Sequence, residues 1–204
     1  MSILQGSPTR LHGFEGSFFV CMNSEKESIR KIILEKRLSL LPEEISRLSE
    51  MIQSRILKTA LWKKCERLGL YHSTKNEVET NLLFMKALEA GSSVYFPRVE
   101  QGIQFYEVNE PSDLEKGAWG ILEPKHSCTP LPKIEKLDLL IVPGLAFDKT
   151  CHRLGYGRGF YDVVLEAYAT CSIGVAYDFQ IVEKLPVDPW DRHVKQVMTE
   201  KNEY

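Results

Sequence analysis

Residues 137–144 read Leu-Asp-Leu-Leu-Ile-Val-Pro-Gly, a short apolar run that ends at a turn signal. A run of this length is typical of a strand that is buried on both faces, as strands of parallel sheets are. Shorter strand patterns alternate with helical patterns on either side of it. The alternation predicts an α/β fold, a single domain with a largely parallel central sheet that is flanked by helices.

A pair of helices is expected before the alternating part. The capping-box pattern Ser-Glu-Lys-Glu predicts a helix start at Ser24, and Pro42 opens the second helix. The first helix has an imperfect apolar stripe, with its basic residues on other faces; the stripe is Ile29, Ile32, Ile33, Leu40 and Leu41, and the basic residues are Lys26, Arg30 and Arg37. Further strands are expected at 68–72, 94–99, 103–108, 172–176 and 197–199, helices at 80–90 and 160–168, and a long loop at 111–132.

The composition limits the class of protein. A chain of 204 residues that is 43% hydrophobic can bury a sizeable core, and 26 basic against 28 acidic residues do not form the footprint of a nucleic-acid binder. Five cysteines without a C-x-x-C pair argue for reduced thiols, a cytoplasmic location and no structural zinc site. We expect a monomer without a membrane or nucleic-acid partner.

The first 22 residues contain one brief apolar patch, which fits neither a signal peptide nor a membrane span. We therefore expect residues 1–22 to be a disordered or non-native extension. The folded domain is predicted over 23–204.

A glycine-rich loop follows the buried strand. Residues 153–162 read Arg-Leu-Gly-Tyr-Gly-Arg-Gly-Phe-Tyr-Asp, with Gly155, Gly157 and Gly159 alternating with larger residues. Such a loop brings backbone N–H groups close to an anion, the following helix adds its positive end, and Arg153 and Arg158 offer donor forks for phosphate oxygens. It matches neither the Walker A pattern nor G-x-G-x-x-G. A sharp turn with solvated arginines remains the alternative.

A carboxylate closes this segment. Asp162 lies in the first turn of the expected helix, where it could help to hold Mg²⁺ together with phosphate oxygens. Capping of the helix is the alternative role.

The chain resembles the 5-formyltetrahydrofolate cyclo-ligase family, also called methenyltetrahydrofolate synthetases, over nearly all of residues 24–200. The resemblance rests on Pro-Gly-x-x-Phe-Asp at 143–148 and on the loop at 153–162. Weaker matches are Lys-x-x-x-Arg at 26–30, Glu-Val-Glu-Thr at 77–80, Phe-Pro-Arg at 96–98, Trp-Gly-Ile-Leu-Glu-Pro at 119–124 and the tail at 191–199. Phe160 replaces a more usual Tyr, and Lys195 stands where Asp is common.

The resemblance implies three sets of site residues. ATP would be bound by Lys26, Arg30, Arg153, Leu154, Gly155, Tyr156, Gly157, Arg158, Gly159, Phe160 and Tyr161, with Lys26, Arg153 and Arg158 catalytic. The folate would be contacted by His72, Glu77, Trp119, Tyr156, Phe160 and Tyr161. Mg²⁺ would be held by Asp162 and Asp191.

The implied reaction closes 5-formyltetrahydrofolate, possibly polyglutamylated, to 5,10-methenyltetrahydrofolate with release of ADP and phosphate. The formyl oxygen would attack the γ-phosphoryl of ATP, and N10 would then attack the activated carbon. No nucleophilic side chain is needed, and Cys151 beside His152 is not expected to act as one. Two other readings stay open: a sugar-phosphate isomerase-like domain that uses no ATP, and a non-catalytic binding protein of the same fold.

Overall fold

A computed structural model describes residues 14–100, 102–117, 120–132 and 136–204, with the backbone alone for 14–23. Its helices are α1 (Phe14–Leu38), α2 (Pro42–Ile56), α3 (Ala60–Lys63), α4 (Asn81–Glu89) and α5 (Phe160–Ala167). Its strands are β1 (Arg67–Gly69), β2 (Ser93–Val99), β3 (Ile103–Glu107), β4 (Leu114–Lys116), β5 (Leu122–Pro124), β6 (Leu139–Pro143), β7 (Ala146–Asp148), β8 (Arg153–Leu154), β9 (Ser172–Val175), β10 (Ile181–Val182) and β11 (Gln196–Met198).

The central sheet has the strand order β11-β9-β6-β1-β2-β3. All its neighbours pair in parallel except β2 and β3, which form an antiparallel pair at the edge. Two small sheets accompany it, one of order β10-β7-β8 and one of β4 with β5. The predicted α/β architecture with its largely parallel sheet and leading helix pair is confirmed.

The run at β6 is buried on both faces, as its sequence predicts. Leu139 and Ile141 belong to the core cluster that includes residues of α2 and α4. Leu140 and Val142 belong to the cluster on the other face, together with Val164 of α5. Successive side chains of a strand point to opposite faces, so a strand between two helical layers must be apolar throughout.

Helix α1 departs from two predictions. It extends from Phe14, so the Ser-Glu-Lys-Glu pattern lies inside the helix, where the Ser28 hydroxyl donates to the Ser24 carbonyl at 2.9 Å. The face assigned to the core is also wrong in part, because Ile32 is 63% exposed whereas Lys26 and Arg37 are buried. The helix therefore turns a basic stripe, which includes Lys26 and Arg37, toward the interior as well as apolar residues.

The segment 111–132 is more regular than the predicted long loop. It contains a short 3-10 helix at Pro111–Asp113 and the antiparallel ribbon of β4 and β5. Arg98 of β2 holds this ribbon, since its guanidinium donates to Glu115 Oε1 at 3.0 Å and to the Pro124 carbonyl. Strands of three residues are too short to show alternation in a sequence. Across the part of the chain that the structure describes, no helix is long and apolar enough to cross a membrane.

Candidate active site

The strand order creates a crevice between β1 and β6. The chain runs from β1 to β2 on one side, while β6 lies on the other side of β1. Ligands of open α/β sheets bind at such a reversal, outside the carboxyl ends of the strands. Residues 70–77 leave β1 there, and Gly144 leaves β6 there. The site is therefore expected along this edge.

The glycine loop lies beside this crevice and leads into α5. Gly157 and Gly159 have φ values of 88° and 66°, a left-handed backbone that a residue with a Cβ rarely adopts. Gly159 is the N-cap of α5, so the free N–H groups of this helix start in the loop. Arg30 of α1 reaches the loop, where its Nε donates to the Gly155 carbonyl at 2.9 Å.

Arg153 lies under the loop with a side chain that is 7% exposed. One of its terminal nitrogens is 3.6 Å from Asp162 Oδ2, and its guanidinium stacks 5.2 Å from the Tyr161 ring centroid. Among the buried side-chain nitrogen and oxygen atoms of the described residues, the Arg153 Nε is the one without a hydrogen-bond partner. Burial lowers the pKa of Arg153, and the charges of Asp162 and Asp191 oppose that change. The guanidinium thus has one unused donor and a positive charge next to the glycine loop, a charge that would attract an anion bound there.

Lys26 is buried at the other end of the basic stripe. Its Nζ lies 2.6 Å from Asp188 Oδ2 and 2.7 Å from Asp191 Oδ2. Burial by itself would lower the pKa of Lys26, but the hydrogen bonds to the two carboxylates outweigh burial and raise it. Lys26 thus stays charged, one helical turn before Arg30, which contacts the loop.

Glu77 is buried where the chain returns from the carboxyl end of β1. The Thr74 N–H donates to its Oε2 at 3.1 Å, and Arg37 lies 3.7 Å from its Oε1. Burial raises the pKa of Glu77, and the Arg37 charge opposes only part of that rise. Lys75 and Asn76 before it have φ values of 49° and 58°, a strain that is common in functional loops.

Aromatic side chains occur in both the loop that contains Glu77 and the glycine loop. Tyr156 is 43% exposed, with Lys75 Nζ 5.0 Å from its ring centroid. Burial raises the pKa of Tyr161, so its phenol stays neutral, and burial lowers the pKa of half-buried His72. Phe160 begins α5, whereas Trp119 lies outside the described residues. Tyr156 therefore lies where the Glu77 loop meets the glycine loop, and stacking of ligand rings on these aromatic residues stays a prediction.

Asp162 and Asp191 are the expected metal ligands. Asp162 Oδ1 accepts the Arg192 N–H at 3.0 Å, and Asp191 Oδ2 accepts the Asp188 N–H at 2.9 Å. The charges of both carboxylates raise the pKa of the same group, the Arg153 guanidinium. Within the described ranges, no group of three or more His, Cys, Asp or Glu side chains could hold an ion alone. Two carboxylates suit Mg²⁺ only when phosphate oxygens complete its shell, so the donor set fits a metal that arrives with a nucleotide.

Sequence reasoning missed Arg37, which is fully buried in the centre of this arrangement. Its spacing held a signal, because Lys26, Arg30, Ile33 and Arg37 follow the i, i+4, i+7, i+11 pattern of one helix face. Asp188 was missed as well. It lies three residues before Asp191 and gives no pattern of its own.

Comparisons with known proteins agree with one another. The 5-formyltetrahydrofolate cyclo-ligase family model matches residues 22–200. A curated relative from Escherichia coli K12, named 5-formyltetrahydrofolate cyclo-ligase, is 31% identical over 82% of this chain and 96% of its own length. The mouse protein of that name is 27% identical over 89% of this chain and 96% of its own.

Solved structures give the same result. The Aquifex aeolicus 5,10-methenyltetrahydrofolate synthetase superposes with a TM-score of 0.78 at 39% identity, covering 87% of this chain and 91% of that one. The synthetase from Mycoplasma pneumoniae gives 0.70 at 25% identity, covering 86% and 99%. The predicted family and enzyme class are confirmed: the chain belongs to the 5-formyltetrahydrofolate cyclo-ligase family.

Proposed function

We propose that this protein cyclises 5-formyltetrahydrofolate to 5,10-methenyltetrahydrofolate with consumption of ATP. The observation that carries the proposal is the convergence of cations on the glycine loop, where the buried Arg153 Nε lacks an acceptor and Arg30 holds the Gly155 carbonyl. A polyphosphate is the kind of anion that such a group of cations attracts. The folate substrate is inferred from the names of the relatives.

The two substrates have separate places along the crevice. The nucleotide phosphates lie on the loop 153–159, the start of α5 and the basic stripe of α1. The folate lies toward Glu77, since a buried carboxylate can accept two N–H donors from the 2-amino-4-oxo face of a pterin. His72, Tyr156, Phe160 and Tyr161 surround the rings of the folate. Trp119 keeps its predicted role in this set.

The reaction requires the formyl oxygen to become a leaving group. This oxygen attacks the γ-phosphorus, the bond to the bridging oxygen of ADP breaks, and the N5 lone pair forms the iminium phosphate. N10 then adds to the carbon and loses its proton, and the C–O bond breaks to release inorganic phosphate. Phosphoryl transfer depends on positioning and on charge neutralisation, which Lys26, Arg153 and Arg158 provide.

Magnesium would be held by Asp162 and Asp191 together with the nucleotide. Bound there, it supplies additional neutralisation of the phosphate charge. In the free protein, the Lys26 ammonium forms an ion pair with Asp191. The same carboxylate would bind the metal when the nucleotide is present. Lys26 is therefore placed to turn toward the phosphates when the nucleotide arrives.

A pair of lysines on α1 gives a matched test. Lys26 is buried against Asp188 and Asp191, whereas Lys31 is exposed on the same helix. Lys26→Met should lower kcat/KM for ATP by about 100-fold, because a charge-assisted contact to phosphate is lost. Lys31→Met should stay within about twofold of the native enzyme, as exposed substitutions usually do.

Product formation is followed by the near-ultraviolet absorbance of the methenyl compound, with and without ATP. The proposal is supported if the methenyl product forms only when ATP is present and if Lys26→Met slows its formation. Equal effects of the two lysine variants would show that Lys26 does not contact the phosphates. A folded protein that forms no methenyl product from the two substrates would instead favour a sugar-phosphate isomerase-like domain or a non-catalytic binding protein.

A further inference from the structure

Arg37 is a buried cation whose guanidinium contacts three separate segments of the candidate site. Its Nε donates to the Lys75 carbonyl at 2.9 Å, and one terminal nitrogen donates to the Gly144 carbonyl at 3.2 Å. The other terminal nitrogen donates to the Tyr156 hydroxyl and lies 3.7 Å from Glu77 Oε1. One guanidinium thus joins the loop after β1, the end of β6 and the glycine loop.

A fully buried arginine is stable only when its donors are satisfied, and a guanidinium is the side chain whose fixed fork can satisfy several acceptors at once. Two of the acceptors are backbone carbonyls of the crevice, and two are side chains assigned to ligand binding. Lys75 adds a second link, since its ammonium lies over the Tyr156 ring. The two loops are therefore tied to one another through Arg37 and Tyr156.

We propose that Arg37 is a positioning residue that holds the glycine loop and the Glu77 loop in register, so that the formyl oxygen and the γ-phosphorus meet in line. The proposal rests on the proposed function for its chemistry. Arg37 itself is buried behind both loops and touches neither reacting atom. Its contribution is therefore to orientation during turnover and not to the affinity for either substrate.

The charge of Arg37 has a separate effect on Glu77. The groups that face this carboxylate are Arg37 of α1, Lys75 of its own loop, and three tyrosines, Tyr71, Tyr156 and Tyr161. Arg37 and Lys75 are the cations among them, and Lys75 is exposed. A substitution that keeps the charge therefore isolates the geometry of the fork from the ionisation of Glu77.

Arg37→Lys is such a substitution, because an ammonium keeps the charge but cannot reach the Lys75, Gly144 and Tyr156 acceptors together. We expect kcat to fall about 100-fold, while the affinity for each substrate measured alone changes by less than about threefold. Calorimetry with the folate, and with a non-hydrolysable ATP analogue, measures the affinities. Arg47→Lys on the exposed face of α2 is the matched control.

A second variant keeps the test independent of how well Arg37→Lys folds. Tyr156→Phe retains the ring above Lys75 and removes only the hydroxyl that Arg37 contacts. It should lower kcat by about tenfold in the native background and by less than about twofold in the Arg37→Lys background, since both changes break the same link. Additive effects of the two substitutions would overturn the proposal.

Hydrogen exchange of the free protein gives a readout that needs no turnover. In Arg37→Lys, amide protons in 72–77 and in 155–159 should exchange faster together, whereas Arg47→Lys should leave both segments unchanged. Faster exchange in one segment alone would overturn the proposal. A native enzyme that forms no methenyl product would refute the proposed function, and the exchange result would still decide whether Arg37 couples the loops.

Discussion

Three charged side chains of the candidate site are buried. Lys26, Arg37 and Glu77 are 7%, 0% and 6% exposed. Burying a charge costs free energy unless partners compensate, and each of the three has an ion-pair partner. Such an arrangement is typical of a site that is kept ready for a charged ligand.

Glu77 gives a prediction that separates binding from stability. Its carboxylate should accept hydrogen bonds from the folate, so Glu77→Gln should weaken folate binding by roughly 10- to 100-fold, the range for a charge-assisted bond. The affinity of the native protein should also fall as the pH drops through the raised pKa of Glu77. Calorimetry across a pH series measures both effects.

The same substitution should not destabilise the free protein at neutral pH. Because burial raises the pKa of Glu77 above its unfolded value, its contribution to stability is full below the unfolded pKa and is lost as the pH rises through the folded pKa. Glu77→Gln removes that loss and can still accept the Thr74 N–H. A thermal midpoint equal to or above that of the native protein is expected. A clearly lower one would show that the Arg37 ion pair dominates.

One face of helix α1 carries both a core residue and residues of the candidate site. Ile33 lies on the basic stripe and packs with Ala146, Leu154 and Leu185, of which Leu154 directly precedes Gly155 of the glycine loop. Asn76 fixes the other end of the helix, where its Nδ2 donates to the Arg37 carbonyl at 3.2 Å. The helix therefore connects the Glu77 loop to the glycine loop.

Two adjacent isoleucines test this orientation of α1. Ile33 is 6% exposed and Ile32 is 63% exposed. Ile33→Ala should lower the free energy of unfolding by about 2 to 4 kcal/mol, because it removes buried methyl groups and leaves a cavity. Ile32→Ala should change it by less than about 0.5 kcal/mol. Urea unfolding measures both, and equal values would contradict the buried face described for α1.

The elements that could be predicted are those with strong local signals. The run at β6, the helix after Thr80 and the glycine loop each follow from hydrophobicity or from glycine spacing. The buried face of α1 could not be predicted that way, since a charge faces the interior only where other parts of the chain supply partners. Asp188 and Asp191 pair with Lys26 across more than 160 residues, which no local pattern records.

At the scale of the whole molecule, the topology of the sheet brings two segments of the candidate site together. The loop after β1 and the segment after β6 are far apart in the chain, and they meet because β1 and β6 are neighbours in the sheet. The sequence predicted the α/β class and the family, but not this strand order. The family match covers residues 22–200 and therefore includes both of these segments.

Isotope transfer tests the proposed reaction most directly. The native protein is mixed with Mg-ATP and 5-formyltetrahydrofolate that carries ¹⁸O in its formyl group, and the inorganic phosphate is analysed by mass spectrometry. Attack of the formyl oxygen on the γ-phosphorus predicts one ¹⁸O atom in each phosphate, in step with the methenyl product. Phosphate without the label, or hydrolysis of ATP without methenyl product, would contradict the proposed cyclisation.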